Sequence, residues 1–371
     1  MSDTPLAKII RQKIKDEGPM PLSEYMGLCL GHSKHGYYMT RDPFGQAGDF
    51  ITAPEISQMF GEMVGAWLMD TWQKMGSPSD FILLEMGAGR GTLMSDILRV
   101  AKVLPAFLEA VHVHIVEMSP ILQKAQEYSL QVHDLKNAPQ WSSCIESVDF
   151  NFPVLVIGNE FLDALPVDQL VFTDAGWARK FVKIDENDTF RLYEECEYLG
   201  RSQLEKALPQ TLFKPNLGDV FEVSLEQRKI SDDLIKIILK QGGSILWIDY
   251  GFKSAGAYQG GDTLQAVKKH QFSDIFAAPG ENDLTYHINF SDLADYALSK
   301  NVVVHGPVSQ SDYLTSLGIE HRAEILKRHA TKGVSCSIDA ELNRLIGKDE
   351  MGDLFKVIAF TSDPNIDLAG F

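Results

Sequence analysis

The sequence is poor in cysteine and in positive charge, and it has no long apolar run. Its 371 residues include four cysteines, Cys29, Cys144, Cys196 and Cys336, which form no CxxC pair. This spacing excludes a zinc knuckle and a disulfide framework, and we expect no metal site. No segment approaches the roughly 18 consecutive apolar residues that a membrane span requires, so no span is predicted.

The charge balance limits the partners that the protein can have. Lys and Arg number 34 against 51 Asp and Glu, which gives a formal net charge of -17. Such a surface repels the phosphates of nucleic acids and favours a basic protein or peptide. Residues 1–11 show neither the apolar core of a signal peptide nor the Arg/Ser-rich amphipathic character of a transit peptide. We therefore expect a reducing, cytoplasmic location.

The N-terminal part of the chain, residues 1–78, combines helical patterns with a long loop. Apolar residues recur at helical spacing near the start and again over residues 55–75, where Trp67 and Trp72 share one side. Residues 32–54 are rich in glycine, aromatic and polar residues, and a loop of this length is often functional. We expect this region to cover a cofactor site on the rest of the chain.

Short apolar runs alternate with helical segments in the remainder of the chain. This alternation predicts an α/β fold with a doubly wound, mostly parallel sheet, formed by residues 79–167 and 241–371. A last run at 354–360 predicts a strand that finishes the sheet antiparallel. Residues 168–240 interrupt the alternation with a hairpin-like run and an amphipathic helix, and we interpret them as an inserted substrate-cleft subdomain. The other predicted strands are residues 80–85, 111–116, 154–157 and 244–248.

A glycine-rich turn, Glu85-Met86-Gly87-Ala88-Gly89-Arg90-Gly91, follows the first of these strands. A nucleoside cofactor binds an open α/β sheet at such a strand end, because glycine lets the backbone approach the ligand closely. The dinucleotide fingerprint is G-x-G-x-x-G, but here the third glycine comes one residue early and Thr92 takes its place. The turn therefore argues against NAD.

Two carboxylates accompany the turn. Glu117 ends the next predicted strand, where it can accept both ribose hydroxyls of an adenosine. Glu85, two residues before Gly87, suits a cofactor with a cationic end. S-adenosylmethionine carries both an ammonium and a sulfonium group, so the combination predicts this cofactor.

Three further segments closely resemble one family. They are residues 48–57 (GDFITAPEIS), 158–167 (GNEFLDALPV) and 248–251 (IDYG), with further matches at 261–266, 279–290 and 351–357. On these segments the chain is identified as a member of the MidA family, and the resemblance runs nearly end to end. One departure is Asn289, where we expect an acidic residue.

The resemblance implies a class I methyltransferase-like fold, S-adenosyl-L-methionine as cofactor and an exposed arginine of a protein as acceptor. The mitochondrial member of the family is a complex I assembly factor and protein arginine methyltransferase. It acts on a core matrix-arm subunit and produces symmetric dimethylarginine. A complex I subunit is therefore a candidate substrate here, and a homodimer is a further expectation.

Acidic and amide residues at the strand ends are the candidates for catalysis. Asn159 and Glu160 directly follow a predicted strand, which places them beside the cofactor turn. We expect Glu160 to bind the acceptor and receive its proton, and Asn159 to orient substrate or cofactor. Asp163 could share a face with Glu160 or cap a helix. Asp249 ends another strand, and the alternative for it is a buried, hydrogen-bonded Asp in a turn.

The loop before the long N-terminal helix supplies the remaining cofactor candidates. Asp49, Thr52, Pro54 and Glu55 are expected to close over the methionine moiety, and Glu55 could instead be a first-turn helix acid. His287 is a minor candidate, since a lone histidine is more often structural than catalytic.

Other functions remain open at this stage. One is an assembly chaperone that binds S-adenosylmethionine without turnover. Another is a methyltransferase with a lysine or small-molecule acceptor. A nicotinamide-dependent oxidoreductase is disfavoured by the early third glycine.

Overall fold

The computed structural model describes residues 4–43, 45, 51–195, 215–253, 261–268 and 271–371 of the protein. Several helices begin at a capping side chain: Thr4, Ser57 and Ser119 each accept a hydrogen bond from a backbone N–H of the first turn. Within these ranges the helices are α1 (Pro5–Glu17), α2 (Leu22–Gly31), α3 (Tyr37–Thr40), α4 (Ala53–Ile56), α5 (Gln58–Lys74), α6 (Thr92–Val100), α7 (Pro105–Ala110), α8 (Pro120–Leu130), α9 (Leu225–Gln241), α10 (Phe290–Leu298), α11 (Gln310–Ser316), α12 (Ile319–Lys327), α13 (Lys332–Ile346) and α14 (Met351–Leu354), with 3-10 turns at Ala101–Val103, Ile145–Ser147 and Leu162–Ala164.

The strands of the described residues form a main sheet, an antiparallel second sheet and a small third sheet. The main sheet contains β2 (Phe81–Met86), β3 (Val111–Val116), β4 (Gln140–Ser142), β5 (Val154–Asn159), β10 (Gly243–Phe252), β14 (Ile288–Asn289), β15 (Val303–Ser309) and β16 (Phe355–Thr361). The second sheet contains β1 (Met20–Pro21), β6 (Asp168–Thr173), β7 (Gly176–Ile184), β8 (Phe190–Glu195) and β9 (Val220–Val223), and the third contains β11 (Gln265–Lys268), β12 (Gln271–Ser273) and β13 (Asp283–Thr285).

The main sheet has the order β15-β16-β10-β5-β2-β3-β4. Strands β10, β5, β2, β3 and β4 are mutually parallel, whereas β16 pairs antiparallel with both β10 and β15. The predicted doubly wound, mostly parallel sheet with an antiparallel last strand is confirmed. Because these strands are parallel, their carboxyl ends meet at one edge, and the chain order reverses there between β2 and β5.

Both faces of the main sheet are covered by helices, which explains why its strands are apolar rather than alternating. Ile82 and Leu84 pack in a core cluster with side chains of α1, α2, α9 and α10. Phe81 and Leu83 pack in the opposite cluster with α5, α6, α11 and α12. All six residues of β2 are buried. The strand that precedes the glycine turn is therefore fixed from both sides.

The second sheet is separate from the main sheet. Its hairpin of β6 and β7 coincides with the hairpin-like run in the sequence, and β1 from the N-terminal region pairs antiparallel with β7. Helix α9, which the sequence interpretation placed in the insertion, contacts β5 and β10 of the main sheet. The domain boundaries at residues 78, 167 and 240 stay predictions.

Asn289, which departs from the family pattern, caps helix α10. Its Oδ1 accepts a hydrogen bond from the Asp292 N–H at 3.2 Å. An aspartate oxygen accepts the same bond, so the departure leaves this cap in place.

Candidate active site

The glycine turn connects β2 to α6 through left-handed backbone. Gly87, Gly89 and Gly91 have φ angles of 66°, 52° and 79°, which side chains disfavour. The Gly87 N–H donates to the Val116 carbonyl at 3.0 Å, which ties the turn to β3. A Cβ on Gly87 would lie 2.8 Å from the Phe161 ring. The sequence motif therefore corresponds to a backbone that needs glycine.

Glu117 lies at the end of β3 and is linked to the turn through Gln126 of α8. Its Oε1 accepts from the Ser119 N–H at 2.8 Å, and its Oε2 accepts from Gln126 Nε2 at 3.1 Å. Gln126 Nε2 also donates to the Gly89 carbonyl at 2.8 Å. Burial raises the pKa of Glu117. Sequence reasoning missed Gln126, because nothing in the helical pattern distinguishes it from other buried positions of α8.

Glu85 is a buried carboxylate at the base of the turn. Its residue exposure is 2%, and its Oε2 has no hydrogen-bond partner among the described residues. Burial, together with the charge of Glu117, raises the pKa of Glu85 to about 8. A buried carboxylate oxygen without a partner is costly until a cation binds it. This atom therefore suits an ammonium group.

Asn159 and Glu160 lie at the end of β5, as predicted, beside the turn. Glu160 has a left-handed φ of 51°, and its N–H donates to the Ile248 carbonyl at 2.9 Å. Its Oε1 accepts from the Ala53 N–H at 3.0 Å and from Asn159 Nδ2 at 3.1 Å. Burial raises the pKa of Glu160 to about 7. Asn159 Oδ1 is buried without a partner among the described residues, so it is a second acceptor at this edge.

Asp163 and Asp249 do not line either of the two cavities described at the turn. Asp249 is fully buried, and its Oδ2 accepts from the Leu162 N–H at 2.9 Å and from the Asp163 N–H at 3.3 Å. Asp163 Oδ2 accepts from the hydroxyls of Tyr250 at 2.5 Å and Thr285 at 2.7 Å. Burial raises the pKa of both carboxyls. This arrangement favours the turn alternative for Asp249, and a catalytic role for either stays a prediction.

The loop before α5 reaches the same edge. Thr52, Pro54 and Glu55 line a cavity of about 30 Å³ together with Glu85 and other residues of the turn. Asp49, which the sequence grouped with them, lies outside the described residues.

Glu55 is tied to the helix that follows the turn. Its Oε1 accepts from the Thr92 hydroxyl at 2.5 Å. Thr92 is the residue that replaces the third glycine of a dinucleotide motif, and this bond fastens the loop to α6.

His287 stands apart from these residues. Its N–H donates to the Thr263 hydroxyl at 2.9 Å, and its ring packs edge-on against Tyr250. It is absent from the linings of the two cavities at the turn, which favours the structural alternative.

A larger cavity of about 390 Å³ adjoins the turn. The ends of β2, β3 and β5, helix α2, the 162–164 turn and helix α9 enclose it, and most of its lining is apolar. It shares Gly87, Gly89 and Glu160 with the smaller cavity, so Glu160 borders both. The two cavities together run from Glu85 and Asn159 to Glu117 and Met118.

The residues present fit S-adenosylmethionine. Glu85 Oε2 and Asn159 Oδ1 are buried oxygens that match an ammonium group, and Glu117, which the sequence predicts as the ribose ligand, lines the larger cavity. The glycine turn between them lets the protein backbone approach the ligand closely. Fold and site thus define the class of S-adenosylmethionine-dependent methyltransferases with a doubly wound sheet.

Comparison with known proteins names the family. A family model described as "Putative S-adenosyl-L-methionine-dependent methyltransferase" matches residues 63–308, and the chain belongs to this family. Similar curated proteins are "Protein arginine methyltransferase NDUFAF7 homolog, mitochondrial" of Drosophila melanogaster, 38% identical over 95% of this chain and 84% of the relative, and "Protein arginine methyltransferase NDUFAF7, mitochondrial" of Homo sapiens, 32% identical over 96% and 83%. The membership expected from the resemblance is confirmed.

Solved structures agree with this assignment. A crystal structure from Burkholderia thailandensis bound to S-adenosyl-homocysteine is 26% identical with a TM-score of 0.82, covering 96% of this chain and 91% of that chain. The chain is an S-adenosylmethionine-dependent methyltransferase, and S-adenosyl-L-methionine is its cofactor. Among the described residues, every helix is too short or too polar to traverse a bilayer.

Cofactor binding is expected to release a proton from Glu85. Its pKa of about 8 in the free protein means that the carboxyl is largely protonated at about pH 7, whereas an ammonium partner favours the carboxylate. Affinity for S-adenosylhomocysteine should therefore rise with pH up to about 8, where the requirement to deprotonate disappears. Calorimetric titration near pH 7, in two buffers of different ionisation enthalpy, measures the released proton.

The variant Glu85→Gln identifies the source of that proton. This variant should remove most of the dependence of the binding enthalpy on the buffer. Glu127→Gln, on the exposed face of α8, should keep that dependence. A wild-type titration with no proton release would contradict the assignment of Glu85 to the ammonium group.

Proposed function

We propose that the protein methylates arginine side chains of a protein substrate. The observation that carries the proposal is the placement of Glu160 at the junction of the two cavities. Its Oε1 is held by Ala53 and Asn159, while its Oε2 takes part in no hydrogen bond from the described residues. A fixed carboxylate with one available oxygen, bordering the cofactor pocket, is suited to a guanidinium group.

The chemistry requires a base as well as a binding group. S-adenosylmethionine, when bound, supplies an electrophilic methyl group. A guanidinium has a pKa above about 12, so its nitrogen attacks well only as its proton passes to a base. Glu160 Oε2 accepts this proton. Burial raises the pKa of Glu160 to about 7, which is close to neutral pH and therefore suits a general base. The lining of the larger cavity is mostly apolar, so a bound acceptor and cofactor displace water from the same place.

The charge of the protein supports a cationic acceptor. Glu226 and Asp233 of α9 and Glu146 of the 145–147 turn border the larger cavity, and Lys229 there forms an ion pair with Glu146 at 2.7 Å. The whole chain carries a formal charge of -17. A basic protein segment is therefore attracted to this opening. The relatives whose names include "protein arginine methyltransferase" support the same acceptor.

Incubation of the protein with methyl-labelled cofactor and a proteome lysate tests the proposal. We expect label in a protein band, and amino-acid analysis should recover it in methylated arginine. Label recovered in lysine or in small molecules would contradict the proposal, because the acceptor would then not be arginine. Bound cofactor with no labelling in any lysate would favour the assembly chaperone.

The finer expectations of the resemblance belong to this proposal. A complex I subunit as substrate, a symmetric dimethyl product, a homodimer and a cytoplasmic location stay predictions. Mass spectrometry of arginine methylation in cells with and without the gene would identify the substrate and the product.

A further inference from the structure

Trp247 of β10 reaches across the neighbouring strand to a side chain of the site. It is paired with Gly158 of β5, and a Cβ on Gly158 would lie 2.3 Å from the indole atom Cζ3. Glycine within a strand marks a place where another group approaches the backbone closely. The indole lies over β5 and stacks on the Phe161 ring, with centroids 6.0 Å apart and an interplanar angle of 10°. Trp247 is fully buried and lines neither cavity at the turn, so any effect that it has on the chemistry passes through its neighbours.

Phe161 connects this indole to the cofactor turn and to Glu160. Its ring lines the larger cavity, and a Cβ on Gly87 would lie 2.8 Å from the ring atom Cδ2. The ring therefore packs against both Trp247 and the glycine turn. Because Phe161 directly follows Glu160 in the chain, a ring that is fixed by these two contacts also restricts the backbone at residue 160.

The backbone of Glu160 needs such support. Its φ of 51° is a left-handed conformation, which costs free energy for a residue with a side chain and persists only where the surroundings hold it. The Glu160 N–H donates to the Ile248 carbonyl at 2.9 Å, and the Leu162 N–H donates to Asp249 Oδ2 at 2.9 Å. These two acceptors and Trp247 are consecutive residues of β10. One strand end thus holds the turn that carries Glu160.

We propose that Trp247 is a positioning residue for Glu160 and acts through the ring of Phe161. The stack fixes Phe161 against the cofactor turn, and the left-handed backbone then directs the Glu160 carboxylate to the junction of the two cavities. A catalytic group has to be held within about 0.5 Å of its productive position, and a misplacement of about 1 Å caused far from the chemistry lowers a rate by about 100-fold. The inference rests on the proposed function, in which Glu160 is the base, and extends it to the residues that place this base.

The variant Trp247→Leu tests this role, because it removes the stacking surface and leaves every residue that lines the two cavities unchanged. We expect the single-turnover rate of methyl transfer to lysate protein, at saturating cofactor, to fall by about 10- to 100-fold. The dissociation constant of S-adenosylhomocysteine, measured by calorimetry, should stay within about threefold of the wild-type value. Trp247→Phe keeps an aromatic face and should retain most of the rate.

Trp67→Leu is the matched control for the loss of a buried indole. Both tryptophans are fully buried, and the Nε1 atoms of both have no hydrogen-bond partner among the described residues. Trp67 belongs to the core cluster on the opposite face of the sheet. Thermal denaturation should show a similar loss of stability in the two leucine variants, whereas Trp67→Leu should keep the wild-type rate. An equal loss of rate in both would assign the effect to stability and overturn the inference.

Double variants show whether the effect passes through Glu160. In Glu160→Gln the base is already absent, so adding Trp247→Leu should cause no further loss of rate, whereas a general structural defect would lower the rate again. Phe161→Leu should reproduce the loss, and Phe161→Leu/Trp247→Leu should be no slower than Phe161→Leu, because both changes remove the same contact. Phe161 is only partly buried, so this variant also carries the test if Trp247→Leu does not fold. Losses that multiply in either double variant would contradict the inference.

The wild type distinguishes failure of this inference from failure of the proposed function. Label outside arginine, or no label with S-adenosylhomocysteine still bound, overturns the proposed function and the inference with it. Label in arginine at equal rates in the wild type and Trp247→Leu overturns the inference alone. Label in arginine, with a loss of rate in Trp247→Leu that disappears in the Glu160→Gln background, supports both.

Discussion

Replacing Glu160 with glutamine should lower the rate of methyl transfer by about 100- to 10,000-fold, the range typical for loss of a general base. Glutamine Oε1 can still accept from the Ala53 N–H and from Asn159 Nδ2, so the local backbone should be kept. The amide that replaces Oε2 cannot take up a proton. Single-turnover transfer from labelled cofactor measures the effect, and S-adenosylhomocysteine titration should show nearly unchanged binding.

The pH dependence of the single-turnover rate distinguishes a base from a structural residue at position 160, because a purely structural role would not produce it. In the wild type the single-turnover rate should rise as pH increases through about 7, because the pKa of Glu160 is about 7 and only the carboxylate accepts the proton. The residual rate of Glu160→Gln should lack this rise. Glu127→Gln on exposed α8 serves as the control and should keep both rate and profile. Full activity of Glu160→Gln would remove Glu160 as the base.

Replacing Gly89 with valine should abolish the thermal stabilisation that S-adenosylhomocysteine gives. Gly89 has a φ of 52°, at which a β-branched side chain is strained, and it lines both cavities at the turn, where the cofactor is expected. The strain alone costs about 1–2 kcal/mol. Cofactor affinity should fall by about 100-fold or more, which corresponds to roughly 2.8 kcal/mol. A thermal shift series with increasing ligand measures this loss.

Gly318→Val is the matched control for backbone strain. Gly318 also has a left-handed φ, 90°, but it precedes α12, where an added Cβ would meet nothing within 4 Å. This variant should lose stability by a similar amount while keeping the ligand-induced shift. A normal shift in Gly89→Val would place the cofactor away from the turn.

Much of the candidate cofactor site could be predicted from local sequence. Gly87, Gly89 and Gly91 directly follow a buried apolar run, and the strand, turn and helix that they join are neighbours in the chain. Left-handed φ angles at all three positions explain why these residues are glycine. Glu85 and Glu117 could be predicted as candidates for the same reason, since each lies at or next to the end of a strand that is specified by its own neighbours. The parallel sheet then brings those strand ends to one edge.

The residues that the sequence left unresolved depend on contacts between distant segments. The hydrogen bonds that favour a structural role for Asp249 join it to the backbone of residues 162–163, which lie more than 80 positions away in the chain. Gln126 joins Glu117 to the Gly89 carbonyl only because α8 packs against the turn. The sequence places α9 in the inserted segment because residues 168–240 interrupt the alternation of strands and helices. The contacts of α9 with β5 and β10 become visible only in the folded protein.

The sequence by itself determined the fold class, the glycine turn with its two carboxylates, and the family, because each is written in short segments whose structure is largely local. Only the tertiary structure decided which oxygen atoms have no hydrogen-bond partner among the described residues, which carboxylates accept from the backbone, and which side chains border a common cavity. Ala53 and Glu160 are 107 positions apart, and Tyr38 and Asp283 are 245 apart. Their hydrogen bonds exist because packing on both faces of the sheet brings these segments together, and no local pattern encodes that proximity.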